Sequence, residues 1–378
     1  MDSTKDVVIV GAGIVGCSIA WELAKAGLQV CLLERGGIGE ESSAAAAGML
    51  SGQHGVTNFG ARYQLHLQAR ELHAALADEL RQLTGIDVGF CRWGILELLF
   101  TAGEVRAADR CYALQTEAGL RVERLTREEA LAREPAVSPD IQGAIRYVDE
   151  AHVHNGRLTI ALGEAARRAG AEVRSGDPAI TLLRQGERVV GVQTPHEVLH
   201  AGTVVVANGA WAAELVAALG IILPIKPMRG QMLAVRTVPR AVQQVIYGRH
   251  MYVVPRAEGE TLIGATVEDV GFRKEVTLQG LEELVQAGRR VVPGIMSQPV
   301  IRTWAGLRPG SPDGLPLVGP VDGWAGLLLA VGHYRNGILL GPLTGVLVKQ
   351  LLVDRVYSPH LDLLRPERFP LRSQAMGV

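Results

Sequence analysis

Three glycines and one glutamate near the start of the chain have the spacing of a dinucleotide-binding site. Gly11, Gly13 and Gly16 form the pattern G-x-G-x-x-G. The first glycine permits a tight turn, the second lets the backbone approach a pyrophosphate, and the third lets a helix pack close to the preceding strand. Glu34 follows about 20 residues later, where a carboxylate accepts hydrogen bonds from ribose hydroxyls. Because this carboxylate repels a 2′-phosphate, we expect FAD or NAD rather than NADP.

The flanking sequence predicts the elements that position these four residues. Residues 7–10 are an unbroken apolar run, which is typical of a buried parallel strand. A helix is predicted over residues 14–25, and its N-terminal N–H groups can bind a diphosphate. A second strand over residues 29–33 leads into Glu34. Since strand, helix and acid occur in the required order, a glycine-rich turn without a ligand is the less favoured interpretation.

Composition limits the classes of function that the chain can have. It has 378 residues, of which 48% are hydrophobic and 20% charged, as in ordinary globular proteins with one or two domains. The formal net charge of −1 and the aromatic content of 4% argue against nucleic acid as a partner.

The cysteines and apolar segments carry little sign of metal binding, export or membrane insertion. No C-x-x-C pair occurs, which argues against a zinc or redox site and suits a reducing cytoplasm. The apolar run before Cys17 resembles a lipoprotein cleavage site, but residues 1–6 lack the basic character of a signal peptide. The longest apolar stretch, residues 337–353, contains Pro342 and Lys349, so no integral membrane segment is predicted. The four cysteines are Cys17, Cys31, Cys91 and Cys111.

Three further segments are predicted to reach the same crevice as the glycine-rich turn. Residues 42–50 read SSAAAAGML, whose small side chains allow a flat ligand or a phosphate to lie against the backbone. Residues 203–207 form a predicted buried strand that ends at Asn208-Gly209-Ala210-Trp211, where parallel sheets bind ligands. Residues 327–331 form another such strand, followed by a helix that begins near Asn336-Gly337.

The remaining pattern predicts an α/β fold, α+β overall, in which two domains interleave. A Rossmann-type FAD-binding domain is assigned to residues 1–86, 150–222 and 300–378. A substrate-binding domain, built on an antiparallel sheet with helices, is assigned to residues 87–149 and 223–299. Within this scheme a strand is predicted over residues 90–100, a meander over residues 185–200, and a turn at Arg-Pro-Gly, residues 308–310.

Several motifs together resemble one family of flavoenzymes. They are GAGIVG with Glu34, SSAAAAGML, VVVANGAW, HMYVVPR, WAGLRPGSPDG and GHYRNGILL. The chain resembles the D-amino-acid oxidase-like FAD-dependent oxidoreductases and, within them, the glycine oxidases of thiamine biosynthesis. The resemblance implies non-covalently bound FAD and oxidative deamination of glycine, sarcosine or short D-amino acids. It further implies that hydride passes to flavin N5, that oxygen is reduced to hydrogen peroxide, and that the glycine imine supplies the thiamine thiazole.

The resemblance also implies roles for individual residues. Arg308 is similar to the arginine that binds the substrate carboxylate, and its planar fork of donors suits that group. Tyr252 is similar to its hydroxyl partner, Arg335 to a second active-site arginine, and His250 to a pocket residue. The cofactor-binding set implied is Gly11, Gly13, Ile14, Val15, Gly16, Glu34, Arg35, Ser42, Ser43, Ala46, Ala47, Gly48, Met49, Leu50, Ala179, Asn208, Gly209, Trp211, Arg308, His333, Arg335, Asn336, Gly337 and Ile338.

The candidate catalytic residues also have purely structural interpretations. Arg308 could form a structural ion pair in a loop, Tyr252 could be an interfacial core residue, and His250 could be a hydrogen-bonded structural histidine. Three positions also depart from the family pattern. Val267 replaces a methionine that is frequent above the flavin in the family, and His154 replaces an acid. Asn155 replaces a proline, and we attach no functional meaning to this replacement from the sequence.

Other functions remain open at this stage. The alternatives are a D-amino-acid dehydrogenase that reduces a quinone, and an FAD-binding protein without turnover. A covalent flavin of the sarcosine oxidase type is disfavoured because all four cysteines precede residue 112. We expect a cytoplasmic homo-oligomer that binds no nucleic acid and no metal.

Overall fold

The computed structural model describes residues 4–371, which form two eight-stranded sheets, a small two-stranded sheet and the helices around them. The strands are β1 Lys5–Val10, β2 Val30–Glu34, β3 Met49–Leu50, β4 Ile95–Leu99, β5 Val122–Leu125, β6 Gly143–Tyr147, β7 Ala151–His152, β8 Glu172–Ser175, β9 Thr181–Gln185, β10 Arg188–Gln193, β11 Val198–Val206, β12 Lys226–Arg236, β13 Val245–Gly248, β14 Met251–Pro255, β15 Glu260–Gly264, β16 Val300–Gly310, β17 Leu317–Val321 and β18 Trp324–Val331. The α-helices are α1 Ile14–Lys25, α2 Ser42–Ala45, α3 Ala61–Thr84, α4 Ala102–Glu117, α5 Arg127–Arg133, α6 Asn155–Arg168, α7 Ala212–Ala217, α8 Leu278–Val291, α9 Gly337–Lys349 and α10 His360–Leu364.

The first sheet has a parallel centre. β1 lies between β11 and β2, and β8 and β18 extend this parallel set on either side. Val7 and Ile9 of β1 pack into one apolar cluster, whereas Val8 and Val10 pack into another on the opposite face. Burial on both faces explains why this strand is apolar throughout. β9, β10 and β11 form the predicted antiparallel meander.

Helix α9 packs closely on α1 in the interior of this layer. A Cβ on Gly345 would lie 2.7 Å from the carbonyl oxygen of Ser18, so the close approach requires glycine. The helix predicted to begin near Asn336-Gly337 is α9, and it runs through Pro342. By length and mean hydropathy, 1.4, the stretch Gly337–Asp354 could cross a membrane, but 56% of it is buried inside the protein. Its apolar composition is therefore explained by packing in the core.

The second sheet is antiparallel apart from one pair. Its order is β16-β12-β15-β14-β13-β4-β6-β5, and only β13 and β4 run parallel among the described strands. Helix α8 covers one face, where Leu284 and Val291 join the apolar cluster that includes Val253 and Ile263. One face of the sheet is thus covered by helix α8, and the other face is open towards the carboxyl ends of the first sheet's parallel strands.

The predicted fold class is confirmed, with local corrections. The strand expected over residues 90–100 is only β4, Ile95–Leu99. The Arg-Pro-Gly segment expected as a turn is the end of the long strand β16. β16 belongs to the second sheet, although the boundary at residue 300 assigns it to the FAD-binding domain. Every other strand of the two large sheets lies in the predicted range for its domain, and the division into domains stays a prediction.

Candidate active site

One cavity of about 900 Å³ lies between the two large sheets. That volume is at the upper end of the range for pockets that hold small molecules and cofactors. The carboxyl ends of the first sheet's parallel strands open into it, and so do β12, β14 and β16 of the second sheet. Residues of both large sheets therefore face one another across the same space.

The glycine-rich turn forms a cradle at one end of the cavity. Gly11 has a φ of +103°, and a Cβ there would lie 2.7 Å from the Cα of Asn208. A Cβ on Gly16 would lie 1.8 Å from the carbonyl oxygen of Gly11, so this residue sets the approach of α1 to β1. Ser43 Oγ accepts a hydrogen bond of 2.9 Å from the N–H of Ile14, the first residue of α1. These contacts are those expected of a turn that admits a pyrophosphate.

Glu34 lies at the cavity edge with both carboxylate oxygens held by the backbone. Oε2 accepts from the N–H of Ala12 at 2.8 Å, and Oε1 accepts from the N–H of Gly36 at 3.0 Å. These bonds orient the carboxylate and leave acceptor capacity for ribose hydroxyls. The backbone bond from Gly11 N–H to the carbonyl of Leu33, 2.7 Å, keeps the acid next to the turn.

Arg35 and Trp211 form an aromatic and cationic wall beside Glu34. The Arg35 guanidinium carbon lies 3.7 Å from the centroid of the Trp211 ring. Arg35 also pairs with Glu41 at 2.7 Å, and Glu41 pairs with Lys274 from the segment after β15 at 2.7 Å. This chain of contacts ties the cradle to the segment that follows β15.

The amino end of α9 reaches the cavity from the other side. Gly337 and Ile338, its first two residues, line the space, and no side chain caps this helix end. His333 is buried, its Nε2 lies 3.0 Å from Thr344 Oγ1, and burial lowers its pKa to about 3. The positive end of the α9 dipole therefore faces the cavity. The neutral imidazole of His333 lines the same space.

The small-residue segment is held from behind by side chains of other elements. Ser42 Oγ donates to the carbonyl of Leu307, and Trp304 Nε1 donates to the carbonyl of Ala45 at 3.1 Å. A Cβ on Gly306 would lie 2.4 Å from the Ala45 Cβ. Strand β16 thus packs directly against α2, and the small side chains make this contact close enough.

Arg308 lies on β16 and lines the same cavity. Its Nη1 donates to the carbonyls of Thr266 at 3.1 Å and Arg229 at 3.4 Å, and among the described residues no carboxylate pairs with it. A Cβ on Gly230 would lie 2.3 Å from its Nη1 and Nη2, so glycine there makes room for the guanidinium. The arrangement leaves a half-buried positive charge available to an anionic group.

Tyr252 lies next to this guanidinium on β14. Its hydroxyl donates to the thioether of Met232 at 3.5 Å, which is a weak acceptor. Burial raises the pKa of Tyr252, and the charges of Arg308 and Arg335 oppose the rise. The phenol is therefore protonated near neutral pH and can donate to a carboxylate. Its strand neighbours Met251 and Val253 point to the other face and join the core, as the alternation predicts.

His250 and Arg335 lie at the rim rather than deep in the cavity. Arg249 and His250 are the two-residue turn between β13 and β14, with φ values of 54° and 65°. Both side chains are exposed and line the cavity. Arg335 is exposed too, and its guanidinium carbon lies 5.3 Å from the Tyr334 ring centroid.

The cavity brings together nearly all of the residues singled out from the sequence. Of that set, Gly16 and Leu50 do not line it. Gly16 contacts the Gly11 backbone instead, and Leu50 is fully buried in the apolar cluster around α1. Direct cofactor contact by either residue therefore has no support from the geometry, whereas Gly16 keeps its packing function.

Sequence reasoning missed a group of aromatic and polar residues beside Tyr252. Tyr247 lies directly opposite Tyr252 in the β13–β14 register and lines the cavity. Its ring centroid is 4.4 Å from that of His54, whose Nε2 lies 3.4 Å from Glu97 Oε2. The Tyr147 hydroxyl donates to the same Glu97 oxygen at 2.9 Å. Pairing across the hairpin could have indicated Tyr247, but no local signal marks His54.

Comparison with known proteins settles which family this geometry represents. The model of the DAO family, "FAD dependent oxidoreductase", matches residues 6–351. The chain belongs to the DAO family of FAD-dependent oxidoreductases. It is an FAD-dependent enzyme of that family.

The relatives within the DAO family have several names. Glycine oxidase of Geobacillus kaustophilus is 37% identical over 93% of this chain and 94% of its own length. Its crystal structure superposes with a TM-score of 0.90 over 99% of this chain and 100% of that one, at 35% identity. Hydrogen cyanide synthase subunit HcnC of Pseudomonas aeruginosa is 35% identical over 100% of this chain and 99% of its own. The bifunctional protein ThiO/ThiG of Nostoc is 36% identical over 95% of this chain, which spans 54% of that protein.

FAD fits the residues that are present. At Gly11 a Cβ would clash with the Asn208 backbone, so the tight turn needs glycine, and the Glu34 carboxylate is oriented for a ribose. None of the cysteines among residues 4–371 lines the cavity, so a thioether to the flavin has no partner there.

Proposed function

We propose that this protein oxidises glycine and similar small amines, including sarcosine and short D-amino acids. The imine product hydrolyses to a 2-oxo acid with release of ammonia or an amine. When bound, FAD supplies the two-electron acceptor, and oxygen takes the electrons on to form hydrogen peroxide. The observation that carries this proposal is the guanidinium of Arg308 beside the Tyr252 hydroxyl in the cavity, where no carboxylate of the described part of the chain pairs with the arginine.

The chain's own residues have separable tasks in this reaction. Arg308 and Tyr252 bind the substrate carboxylate and so fix the orientation of the Cα–H bond. Positioning of this kind supplies much of the rate acceleration when no acid–base step is needed. The amino end of α9 at Gly337 favours negative charge as it develops during reduction. Arg335 contributes a positive group at the entrance, and His250 lines the same part of the cavity.

The biological setting follows from the relatives and is part of the proposal. The names glycine oxidase and ThiO/ThiG support glycine as substrate and thiamine biosynthesis as the destination of the imine. The name of HcnC makes cyanide a product to be measured. We retain the predictions of a cytoplasmic location and a homo-oligomer, which cell fractionation and light scattering of the purified protein test.

The deciding experiment is anaerobic reduction of the purified holoenzyme. Glycine, sarcosine, D-alanine and D-proline are mixed with it in turn, and the loss of flavin absorbance is followed. At least glycine should bleach the flavin, and air should restore the colour with release of peroxide. A holoenzyme that carries Arg308→Ala serves as the control for carboxylate-dependent binding.

Each alternative function has its own outcome in this experiment. Bleaching without oxygen uptake, and with reoxidation by a soluble quinone, would identify a dehydrogenase. No bleaching by any amine would identify an FAD-binding protein without turnover. Cyanide in the aerobic mixture would place the chain with HcnC in product chemistry.

A further inference from the structure

A buried arginine near the small-residue segment has no carboxylate partner within residues 4–371. Arg256 follows β14 directly and is only 4% exposed. The nearby acids are engaged elsewhere, since Glu258 pairs with Arg157 at 2.6 Å and Glu260 with Arg302 at 3.0 Å. Burying a charge without an opposite charge costs free energy. The hydrogen bonds of this guanidinium must therefore explain why a cation is buried at this position.

The Arg256 guanidinium is bound by oxygens from two other segments. Nη2 donates to the carbonyl of Ala47 at 2.9 Å and to Asn155 Oδ1 at 2.8 Å, and Nη1 donates to the carbonyl of Val153. Burial lowers its pKa to about 10, so it stays charged near neutral pH. These three oxygens surround the planar group, and a lysine ammonium cannot reproduce its geometry.

Asn155 extends the same network to the start of the segment. It is the first residue of α6 and is 3% exposed. Its Nδ2 donates to the carbonyls of Ser43 at 2.6 Å and Ala44 at 2.9 Å. Together Asn155 and Arg256 bind three carbonyls of residues 43–47, which we call the flavin-side loop. The cavity-facing residues of this loop include Ser43 and Ala47.

The network also joins this loop to the strand that carries Tyr252. Tyr252, Val254 and Arg256 are at alternate positions, so they share one side of the β14 line. Val254 and Ala47 belong to one apolar cluster, against which Tyr252 packs. The spacing between the carboxylate-binding end of the cavity and the flavin-side loop is therefore set by β14 and by Arg256 at its end.

We propose that Arg256 and Asn155 are a positioning pair, which fixes the flavin-side loop to the substrate-binding strand and so sets the distance between flavin and substrate. Neither residue lines the cavity, so the pair acts through the loop and the strand that it joins. The proposal rests on the FAD site and on the carboxylate-binding role proposed for Arg308 and Tyr252, but not on the identity of the amine.

The test uses Arg256→Lys and Asn155→Pro in the full chain. Proline is well tolerated at the first position of a helix, so Asn155→Pro removes the amide at little cost to α6. Arg302→Lys is the matched control, because Arg302 is exposed and forms a surface ion pair. For each protein we measure the FAD dissociation constant of the apoprotein, the flavin midpoint potential, the anaerobic reduction rate constant with glycine, and the glycolate dissociation constant.

The expected pattern separates positioning from substrate binding. Both variants should weaken FAD binding and slow flavin reduction at saturating glycine by about tenfold. Glycolate binding to the FAD-saturated protein should stay within about twofold of the parent. The FAD affinity and reduction rate of the double variant should lie within about twofold of those of the more impaired single variant, because the two side chains share one bridge.

Three results would overturn the proposal. They are an FAD affinity and reduction rate equal to those of Arg302→Lys, a loss of glycolate binding that parallels the loss of rate, and single effects that multiply in the double variant. If Arg256→Lys does not fold, Asn155→Pro decides alone, since Arg256 stays in place. If glycine fails to reduce the parent, the proposed substrate fails, whereas the FAD affinity of the variants still decides the role of the pair.

Discussion

Arg308→Ala should weaken the binding of small carboxylates by about a hundredfold. The guanidinium is half-buried and has only carbonyl partners, so a bound carboxylate gains two charge-assisted hydrogen bonds from it. At about 1.5 kcal/mol each, the lower end of the range for charged groups, two bonds contribute about 3 kcal/mol. Since about 1.4 kcal/mol corresponds to a factor of ten, the dissociation constant rises roughly a hundredfold.

Two companion variants grade this expectation. Arg308→Lys keeps the charge but loses the planar fork, and the loss of one bond should cost about tenfold. Tyr252→Phe removes a neutral donor worth about 1 kcal/mol, which is roughly fivefold. The assay is titration of the oxidised holoenzyme with glycolate, followed by the change in flavin absorbance, with Arg302→Ala as the surface control. A dissociation constant for Arg308→Ala within about threefold of the parent would refute the reasoning and make Arg335 the next candidate.

Further predictions concern the cofactor and the shape of the pocket. Glu34→Ala should raise the FAD dissociation constant about tenfold in apoprotein titrations, because the ribose acceptor is lost, and an unchanged constant would remove its role. Gly230→Ala should weaken glycolate binding while FAD affinity stays unchanged, because the new Cβ meets the Arg308 guanidinium; equal losses of both would indicate general misfolding. Val267→Met should lower kcat/KM for D-proline relative to glycine in a peroxide assay, since Val267 lines the cavity. L-Alanine should be inert in that assay, because its Cα–H points away from the flavin when the carboxylate is bound. Acid precipitation should leave yellow flavin in the supernatant, and flavin in the pellet would contradict non-covalent binding.

The dinucleotide end of the site could be predicted because its signals are local. The tight turn at Gly11 and the close packing at Gly16 demand glycine within a few residues of a strand and a helix. Glu34 is one strand further along and is fixed by a backbone bond between Gly11 and Leu33. Here the chain's neighbours in sequence are also its neighbours in space.

The opposite end of the site depends on pairing between distant strands. Arg308 was identified through resemblance, but its Arg-Pro-Gly context wrongly indicated a turn. β16 is the edge strand of its sheet, and Pro309 lies opposite Pro227 of β12. An edge position tolerates proline because that residue need not donate to a second neighbour. Sequence alone does not say which strand becomes the edge.

Contacts between segments far apart in sequence explain the other omissions. His54 reaches the cavity through contacts with Tyr247 and Glu97, and none of these residues is close to another along the chain. Asn155 had no interpretation from the sequence, although it bridges the flavin-side loop and Arg256. The contacts of such side chains form only when three or more segments pack together, so the sequence of one segment does not predict them.

The turn at Arg249-His250 has a consequence for the evolution and engineering of the enzyme. Two-residue hairpin turns with positive φ at both positions favour Asn-Gly, and a non-glycine residue in that region costs about 1 kcal/mol or more. The chain nevertheless keeps two long basic side chains there, at the cavity entrance. Selection for thermostability therefore favours Asn-Gly at this turn, whereas selection for catalysis favours the basic residues. A library screened only for heat resistance should drift towards Asn-Gly and lose the basic entrance, whereas one screened for turnover should retain it.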